Sequence, residues 1–311
     1  MSTYQYAEKI LSEVRKQVVG KEEVLNLILC ALLSEGHVLI DDIPGVGKTT
    51  MAVAFEKAMG LSGKRVQFTP DVLPSDILGF NVYDKEHASM VYKPGAIFCN
   101  FFLADEINRT SPKTQSALLE AMEERQVSVD GVTRPLDSPF FVLATQNPVG
   151  STGTQKLPES EMDRFMICVS MGYPTIAEER EILKRKSLSD NDVTQVADKR
   201  ILLAMQAEVS DIYVHDAIYD YMARLVNASR NHPYIELGGS PRATLALMHM
   251  SKAKAYLYGR NYVLPEDVAE VYIPVMNHRI LRSRKARTEK VDTETILKSI
   301  LQKEHKPTQK K

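Results

Sequence analysis

Along the first 170 residues, short apolar runs alternate with stretches whose hydrophobic positions recur at helical spacing. Beyond residue 173 only the helical spacing persists. The alternating half carries the signature of a parallel α/β sheet. Strands are predicted at His37–Asp41, Arg65–Phe68, Asn100–Asp105, Phe140–Thr145 and Met166–Ser170, with helices at about 3–16, 21–34, 47–59 and 112–125. Ser111 can cap the last helix, and Pro112 suits its first turn, where a missing N–H costs nothing. Two inserts interrupt the alternation. Gln126–Val129 and Val132–Leu136 flank Asp130-Gly131, a pair that accepts the positive φ of a tight turn, so 126–136 reads as a hairpin. Residues 76–97, with Gly79, Pro94 and Gly95, read as a second and more irregular insert holding another short hairpin.

Tyr173-Pro174 closes this half. Thr175-Ile-Ala-Glu178 has the spacing of a capping box. Further helices are predicted around 198–209, 215–230, 241–258, 265–273 and 292–303, with Ser240-Pro241 marking the start of the third. The expected organisation is a five-stranded α/β domain over 1–172, an all-α domain over 173–303, and a frayed, lysine-rich tail over 304–311.

Composition narrows the function classes. The 311 residues, at roughly 150 per domain, fit two domains with real cores. With 44% hydrophobic and 25% charged residues, the chain is of ordinary globular composition. Thirty-nine basic against forty acidic residues leave a net charge of −1, far from the basic excess of a protein that coats nucleic acid or anionic lipid. Cys30, Cys99 and Cys168 form no CxxC pair and lie in apolar runs, which argues against a disulfide framework or zinc knuckle and for a reducing compartment. Met1 to Gly20 is charged throughout, unlike a signal peptide, and the longest apolar stretch, Val24–Leu33, is half a membrane span. A cytoplasmic protein without a membrane span is expected.

The informative run is Val38-Leu-Ile-Asp-Asp-Ile-Pro-Gly-Val-Gly-Lys-Thr-Thr50, a strand, a glycine loop and a helix start. In a phosphate-binding loop, backbone N–H groups surround the phosphates, a lysine reaches the outer ones and a hydroxyl ligates Mg²⁺. Gly45 and Gly47 supply the turn, Lys48 the charge and Thr49 the hydroxyl; Asp42 stands where GxxxxGK[ST] has its first glycine. Phe101-Phe-Leu-Ala-Asp-Glu106 is an apolar strand ending in two carboxylates. Phosphoryl transfer to water needs one carboxylate for the magnesium shell and one to orient the water, and Asp105 and Glu106 fit these tasks in turn. Asn147 ends the next strand, where side chains converge on the ligand crevice of an open parallel sheet. Arg164, in Asp163-Arg-Phe165, is either a surface ion pair with Asp163 or an arginine finger. Arg242 begins a helix, where a cation is disfavoured by the dipole and calls for an external anion or carboxylate.

These blocks resemble the MoxR family of AAA+ ATPases over nearly the whole chain. The matching segments are Val18–Glu22, Pro44–Thr49, Gln67–Asp76, Pro94–Phe98, Leu103–Arg109, Lys113–Met122, Ala144–Pro148, Leu157–Glu159 with Asp163–Phe165, and Ser240–Ala243. The resemblance implies an AAA+ P-loop core followed by a helical lid, with ATP and Mg²⁺ as cofactors. It implies that Pro44, Gly45, Val46, Gly47, Lys48, Thr49 and Thr50 form Walker A, and that Asp105 and Glu106 form Walker B, Asp105 meeting the metal through water. Asn147 becomes sensor 1, Arg164 the arginine finger, Arg242 sensor 2, and Val18, Val19, Gly20 and Lys21 the wall of the adenine pocket. The inserts at 76–97 and 126–136 resemble the family's helix-2 insert and pre-sensor-1 hairpin. An acidic residue at position 42 is familiar in the family, whereas Gly150 replaces its usual glutamate.

The resemblance further implies a ring, typically a hexamer, acting with a separate adaptor that contains a von Willebrand factor A domain, and a protein client whose complex is remodelled or matured. The competing functions are a nucleotide-gated scaffold with little turnover and a nucleic-acid motor. The motor's best support is His278–Lys290, with six Lys/Arg and one acid, but the run lacks the interleaved aromatics that stack bases, and no nucleic acid is expected. No HExxH or GxSxG suggests other hydrolytic chemistry.

Overall fold

The computed structural model describes residues 3–147, 154–155, 157–186 and 192–307. Five strands form one parallel sheet: β1 (Val38–Asp41), β2 (Gly63–Gln67), β5 (Phe101–Asp105), β8 (Phe141–Gln146) and β9 (Ile167–Val169), in the order β2-β5-β8-β1-β9. They are the five strands expected from the apolar runs, each shifted by no more than a residue or two. β5 and β8 are buried along their whole length, as strands covered on both faces must be. The period of two sorts their side chains. Val38, Ile40, Phe101, Leu103, Phe141 and Leu143 enter one hydrophobic cluster, and Leu39, Phe102, Ala104, Val142 and Ala144 the other.

On the first face lie α1 (Tyr4–Gln17), α2 (Glu22–Leu33) and α3 (Lys48–Met59). From Leu27 to Leu33 every residue of α2 is buried, because α2 packs against the sheet side of the core and also against α8 (Lys199–Ser210) and α10 (Pro241–Leu257) of the C-terminal half. A helix apolar all round is a buried one. The two halves therefore share one continuous hydrophobic cluster, in which Tyr221, Leu225 and Met250 join Leu25 and Ile28.

The second face carries the short α4 (Pro74–Leu78), α5 (Pro112–Glu124) and the inserts. The Ser111 hydroxyl accepts from the Thr114 N–H, capping α5 as anticipated. β3 (Gly79–Asp84) pairs antiparallel with β4 (Ser89–Pro94), and β6 (Gln126–Val129) with β7 (Val132–Pro135). Asp130 and Gly131 both take positive φ, 51° and 76°, in the tight turn their sequence suggests. Asn81 Nδ2 donates to Asp130 Oδ2 at 2.6 Å, and Arg134 stacks 3.7 Å over the Tyr92 ring, so the two hairpins brace one another.

After α6 (Glu159–Met162) and β9, the chain is helical: α7 (Ile176–Lys186), α8, α9 (Asp216–Arg230), α10, α11 (Pro265–Met276), α12 (Arg284–Thr288) and α13 (Thr293–Lys303). The Thr175–Glu178 box is made, with the Thr175 N–H donating to Glu178 Oε2 at 2.6 Å and the Glu178 N–H to Thr175 Oγ1 at 3.3 Å. The helical half also holds a small antiparallel ribbon, β10 (Ile235–Leu237) with β11 (Leu281–Arg282), too short for periodicity to reveal. The tail is less free than its composition suggests. Arg224 donates to Glu304 and to the His305 carbonyl; residues 308–311 lie outside the described set. Among the described residues no helix is long and apolar enough to cross a membrane.

Candidate nucleotide site

At the carboxyl end of β1 the chain turns through Pro44–Gly47 into α3. Gly45 and Gly47 adopt φ of 87° and 92°, a region glycine alone enters without strain. A Cβ on either would point into open space, so the backbone itself requires glycine, and room remains for a bound group. The unpaired N–H groups and dipole at the start of α3 favour an anion there. Lys48 is buried, with its Nζ donating to the Asp42 carbonyl at 2.6 Å. Burial pushes the Lys48 pKa down against the opposing pull of Asp42, Asp105, Glu106 and Asp41. Thr49 is half-buried and Thr50 exposed.

The next two strands supply carboxylates and amides. Asp105 closes β5, its Oδ1 accepting from Thr145 Oγ1 at 2.6 Å and its Oδ2 from Arg65 Nη2 at 2.7 Å. The Glu106 N–H donates to the same threonine hydroxyl at 2.9 Å, so Thr145 fixes both acidic residues. Glu106 stands in the left-handed region at φ 57°, a strained setting of the kind that clusters at functional sites. Burial pushes its carboxyl up, but hydrogen bonds from Arg109 and Asn147, with the Arg109 charge, hold it below the usual carboxylate range. Arg109 Nη1 lies 2.7 Å from Glu106 Oε2. Asn147 follows β8, its backbone gripped by Asn108, whose Nδ2 donates to Asn147 O at 2.9 Å and whose Oδ1 accepts from Asn147 N–H at 3.3 Å. The buried Asn147 Oδ1 has no partner among the described residues. An orphan acceptor beside an ionised carboxylate suits a water molecule that needs two acceptors.

A cleft of about 670 Å³ opens beside the glycine loop, lined by Val18, Val19, Lys21, Pro44–Gly47, Thr50, Met171, Tyr173, Ile182 and other residues of α1 and α7. That volume and its mixed apolar and polar wall fit a small-molecule ligand. Gly20 takes φ 68° at its rim, beside the Glu178 carboxylate.

Arg164 and Arg242 are not in this cleft. Arg164 lies two residues after α6 and three before β9, at the amino-terminal edge of the sheet, where Met166 N–H meets the His37 carbonyl. Its Nη1 lies 2.6 Å from Glu123 Oε2 and also donates to the Leu119 carbonyl. The ion pair with Asp163 considered from sequence does not form, because the Asp163 carboxylate is taken by the buried Arg279 at 2.8 Å. Arg242 hydrogen-bonds the other oxygen of Glu123; this is the carboxylate that its place at a helix start called for. Both arginines thus converge on one acid at the end of α5, across the length of the strands from Lys48.

Comparison with known proteins establishes the family of the chain. Residues 37–167 match the model of the ATPase family associated with various cellular activities (AAA), and 227–300 match the AAA lid domain. A crystal structure of a protein from Cytophaga hutchinsonii, assigned as an ATPase, superposes with a TM-score of 0.91 at 38% identity, covering 98% of this chain and 96% of that one. An uncharacterised Bacillus subtilis protein, YeaC, is 44% identical over 97% of this chain and 95% of its own length. Chaperone MoxR1 of Mycobacterium tuberculosis is 38% identical over 95% of this chain and 81% of its own. The chain belongs to the MoxR family of AAA+ ATPases. In this MoxR-family chain, Asn108, Thr145 and Arg65 hold the residues of the site, and Glu123 holds the distant arginine pair; none of the four is marked by a motif. Asn108 and Thr145 sit inside recognised blocks as apparent spacers, whereas Arg65 and Glu123 carry no local signal. Pro148 and the unusual Gly150 fall outside the described residues.

Proposed function

We propose that this protein binds and hydrolyses ATP with Mg²⁺ at sites completed between subunits of a ring, and uses the cycle to remodel a partner protein complex. The observation that carries the proposal is the separation just described. Lys48, Thr49, Asp105, Glu106 and Asn147 gather at the carboxyl edge of the sheet, while Arg164 and Arg242 gather at its amino edge. Two arginines on one carboxylate form a ready anion site, and bidentate guanidinium groups suit a phosphoryl group in transfer. No single chain can apply them to its own phosphate loop; a head-to-tail neighbour can, and such contacts form a ring when the rotation between subunits closes.

Each residue then has a task. The 44–50 loop and Lys48 hold the phosphates, and the apolar edges of Val18 and Val19 take the base. Mg²⁺, bound by Thr49 and through water by Asp105, would neutralise charge on the terminal phosphates. Glu106, held ionised, orients the attacking water and receives its proton, with Asn147 Oδ1 as second acceptor. Arg164 and Arg242 of the neighbouring subunit stabilise the charge that develops on the transferred group, acting in trans. The chaperone designation of MoxR1 supports a protein client; a separate von Willebrand factor A adaptor rests on the family resemblance.

The basic run His278–Lys290 gives little support to a nucleic-acid motor. Arg279 is buried on Asp163, Arg282 donates to the Val291 carbonyl, Arg287 pairs with Glu236, and Lys285 lies over the Tyr234 ring. The test is ATP turnover per subunit as a function of protein concentration with Mg²⁺ present. A rate that climbs steeply with concentration is expected. A flat, measurable rate would show a self-sufficient subunit, and binding without turnover at any concentration would favour the nucleotide-gated scaffold.

A further inference from the structure

We propose that Asp42, the acid in place of the first Walker A glycine, is a positioning residue that links occupancy of the phosphate loop to the hinge between core and lid. The inference rests on the ATP-binding function proposed above. Asp42 is buried, and its carboxylate is fully engaged. Oδ1 accepts from the Ile43 N–H at 2.9 Å, while Oδ2 accepts from the N–H groups of Met171 at 2.5 Å and Gly172 at 2.7 Å and from Ser170 Oγ at 3.2 Å. One carboxylate thereby ties the glycine loop to the segment that leaves β9. Charge-assisted bonds of this kind are stronger than neutral ones, and a buried carboxylate needs them. A glycine could make none of these contacts.

The same residue is bonded to the group that senses phosphate. Lys48 Nζ donates to the Asp42 carbonyl at 2.6 Å, and the Asp42 N–H donates to the Gln146 carbonyl of β8 at 3.2 Å. A phosphate anion competes for the ammonium far better than a peptide carbonyl does. Binding therefore draws Lys48 off the Asp42 carbonyl, while the Asp42 carboxylate keeps its bonds to the Ile43 N–H and to residues 170–172.

What lies beyond is built to turn. Gly172 has φ 60° with no atom near a notional Cβ, so glycine is required there by backbone freedom and not by space. Tyr173 follows, its carbonyl accepting from Lys21 Nζ at 3.1 Å, and then the capping box of α7, where Glu178 stands 3.8 Å from the same lysine. Tyr173 and Ile182 of α7 line the nucleotide cleft. Asp42 so connects the phosphate end of the cleft to its wall at Tyr173 and α7.

The test compares Asp42→Asn, Asp42→Gly and Gly172→Ala with the parent protein, measuring ATP affinity, kcat and amide hydrogen exchange across residues 170–186 with and without ATP. Asparagine keeps the size but cannot accept at both ends. The alanine strains the hinge while leaving Asp42 intact, and so guards against a loop that fails to form in the Asp42 variants. For all three, ATP dissociation constants within about threefold of the parent and a kcat reduced at least tenfold are expected, within the usual range of site–site coupling. The nucleotide-dependent exchange change at 171–172 should disappear. Affinity that weakens in step with kcat would reduce Asp42 to a shaper of the phosphate loop and overturn the coupling, as would an unchanged exchange response. A parent protein that binds no ATP would instead overturn the function on which the coupling rests.

Discussion

If the arginines act across subunits, a subunit that has lost its arginine can be served by a neighbour that has lost something else. Arg164→Ala leaves the cleft, Lys48 and Glu106 untouched, since among the described residues Arg164 bonds Glu123 and the Leu119 carbonyl at the far edge of the sheet. ATP should bind as in the parent while turnover falls on the order of 10³-fold, the scale of an arginine finger. Glu106→Gln should bind ATP, assemble and hydrolyse almost nothing. Mixed in equal amounts, the two dead variants recover activity wherever an intact Glu106 meets an intact Arg164. Random head-to-tail mixing makes about one interface in four productive, one half for each requirement, so turnover should return to about a quarter of the parental rate. The assay is steady-state phosphate release from each variant and from the mixture, with sedimentation showing that mixed assemblies form. Mixed assemblies that stay at the summed rates of the separate variants would refute the trans assignment outright, because the geometry offers Arg164 no route to its own nucleotide.

Three further outcomes test other parts of the site. Arg65 occupies one oxygen of Asp105, and Thr145 the other; Arg65→Gln should lower the Mg²⁺ concentration for half-maximal turnover by up to about fivefold, the equivalent of a surface ion pair, and an unchanged or higher requirement would remove Arg65 as a competitor for the carboxylate. Asn108 holds both backbone groups of Asn147; losing two buried hydrogen bonds at about 1–3 kcal/mol through Asn108→Ala should reduce kcat by roughly 10- to 100-fold with ATP affinity retained, whereas equal losses in both would make its role general packing. His37 is neutral in the fold, with Nε2 donating to the Met122 carbonyl and Nδ1 accepting from Val142 N–H, and burial pushes its pKa down to about 4. The unfolded chain takes up that proton near pH 6.5, so the stability it confers is complete above about pH 6.5 and is lost toward pH 4 at about 1.4 kcal/mol per pH unit. His278, held well below its ordinary value by burial beside Arg279, acts in the same direction. Thermal unfolding from about pH 7 to 4.5 should show this slope reduced in His37→Gln, and an unaltered slope would acquit the residue.

What could be read from the sequence divides along a physical line. The central strands were legible because a strand buried on both faces must be apolar throughout, and Phe101–Asp105 or Phe141–Gln146 announce that locally; the edge strand Gly63–Gln67, half-exposed, carries that signal far more weakly. The 126–136 hairpin was legible because two adjacent positive φ values admit few residue pairs other than Asp-Gly. The glycine loop and the carboxylate pair were legible for the same reason, since their chemistry lies within a few consecutive residues. What failed was pairing over distance. An ion pair with Asp163 is one of the two readings that adjacency in sequence offers for Arg164, yet Asp163 bonds Arg279, 116 residues away, and Arg164 turns to Glu123. Nothing local marks Glu123, an acid on the last turn of an amphipathic helix, as the point where two arginines meet, nor Arg65 as the cation against Asp105. Long charged side chains choose partners by where tertiary packing leaves them, so spacing cannot encode the choice. Asp42 shows the opposite case. In sequence it is a departure from GxxxxGK[ST] that the family resemblance makes familiar; in the fold its carboxylate satisfies four donors, from Ile43 and from residues 170–172. A buried acid at a glycine position survives only where the fold supplies donors for it, and the departure itself was therefore the local sign of a distant contact.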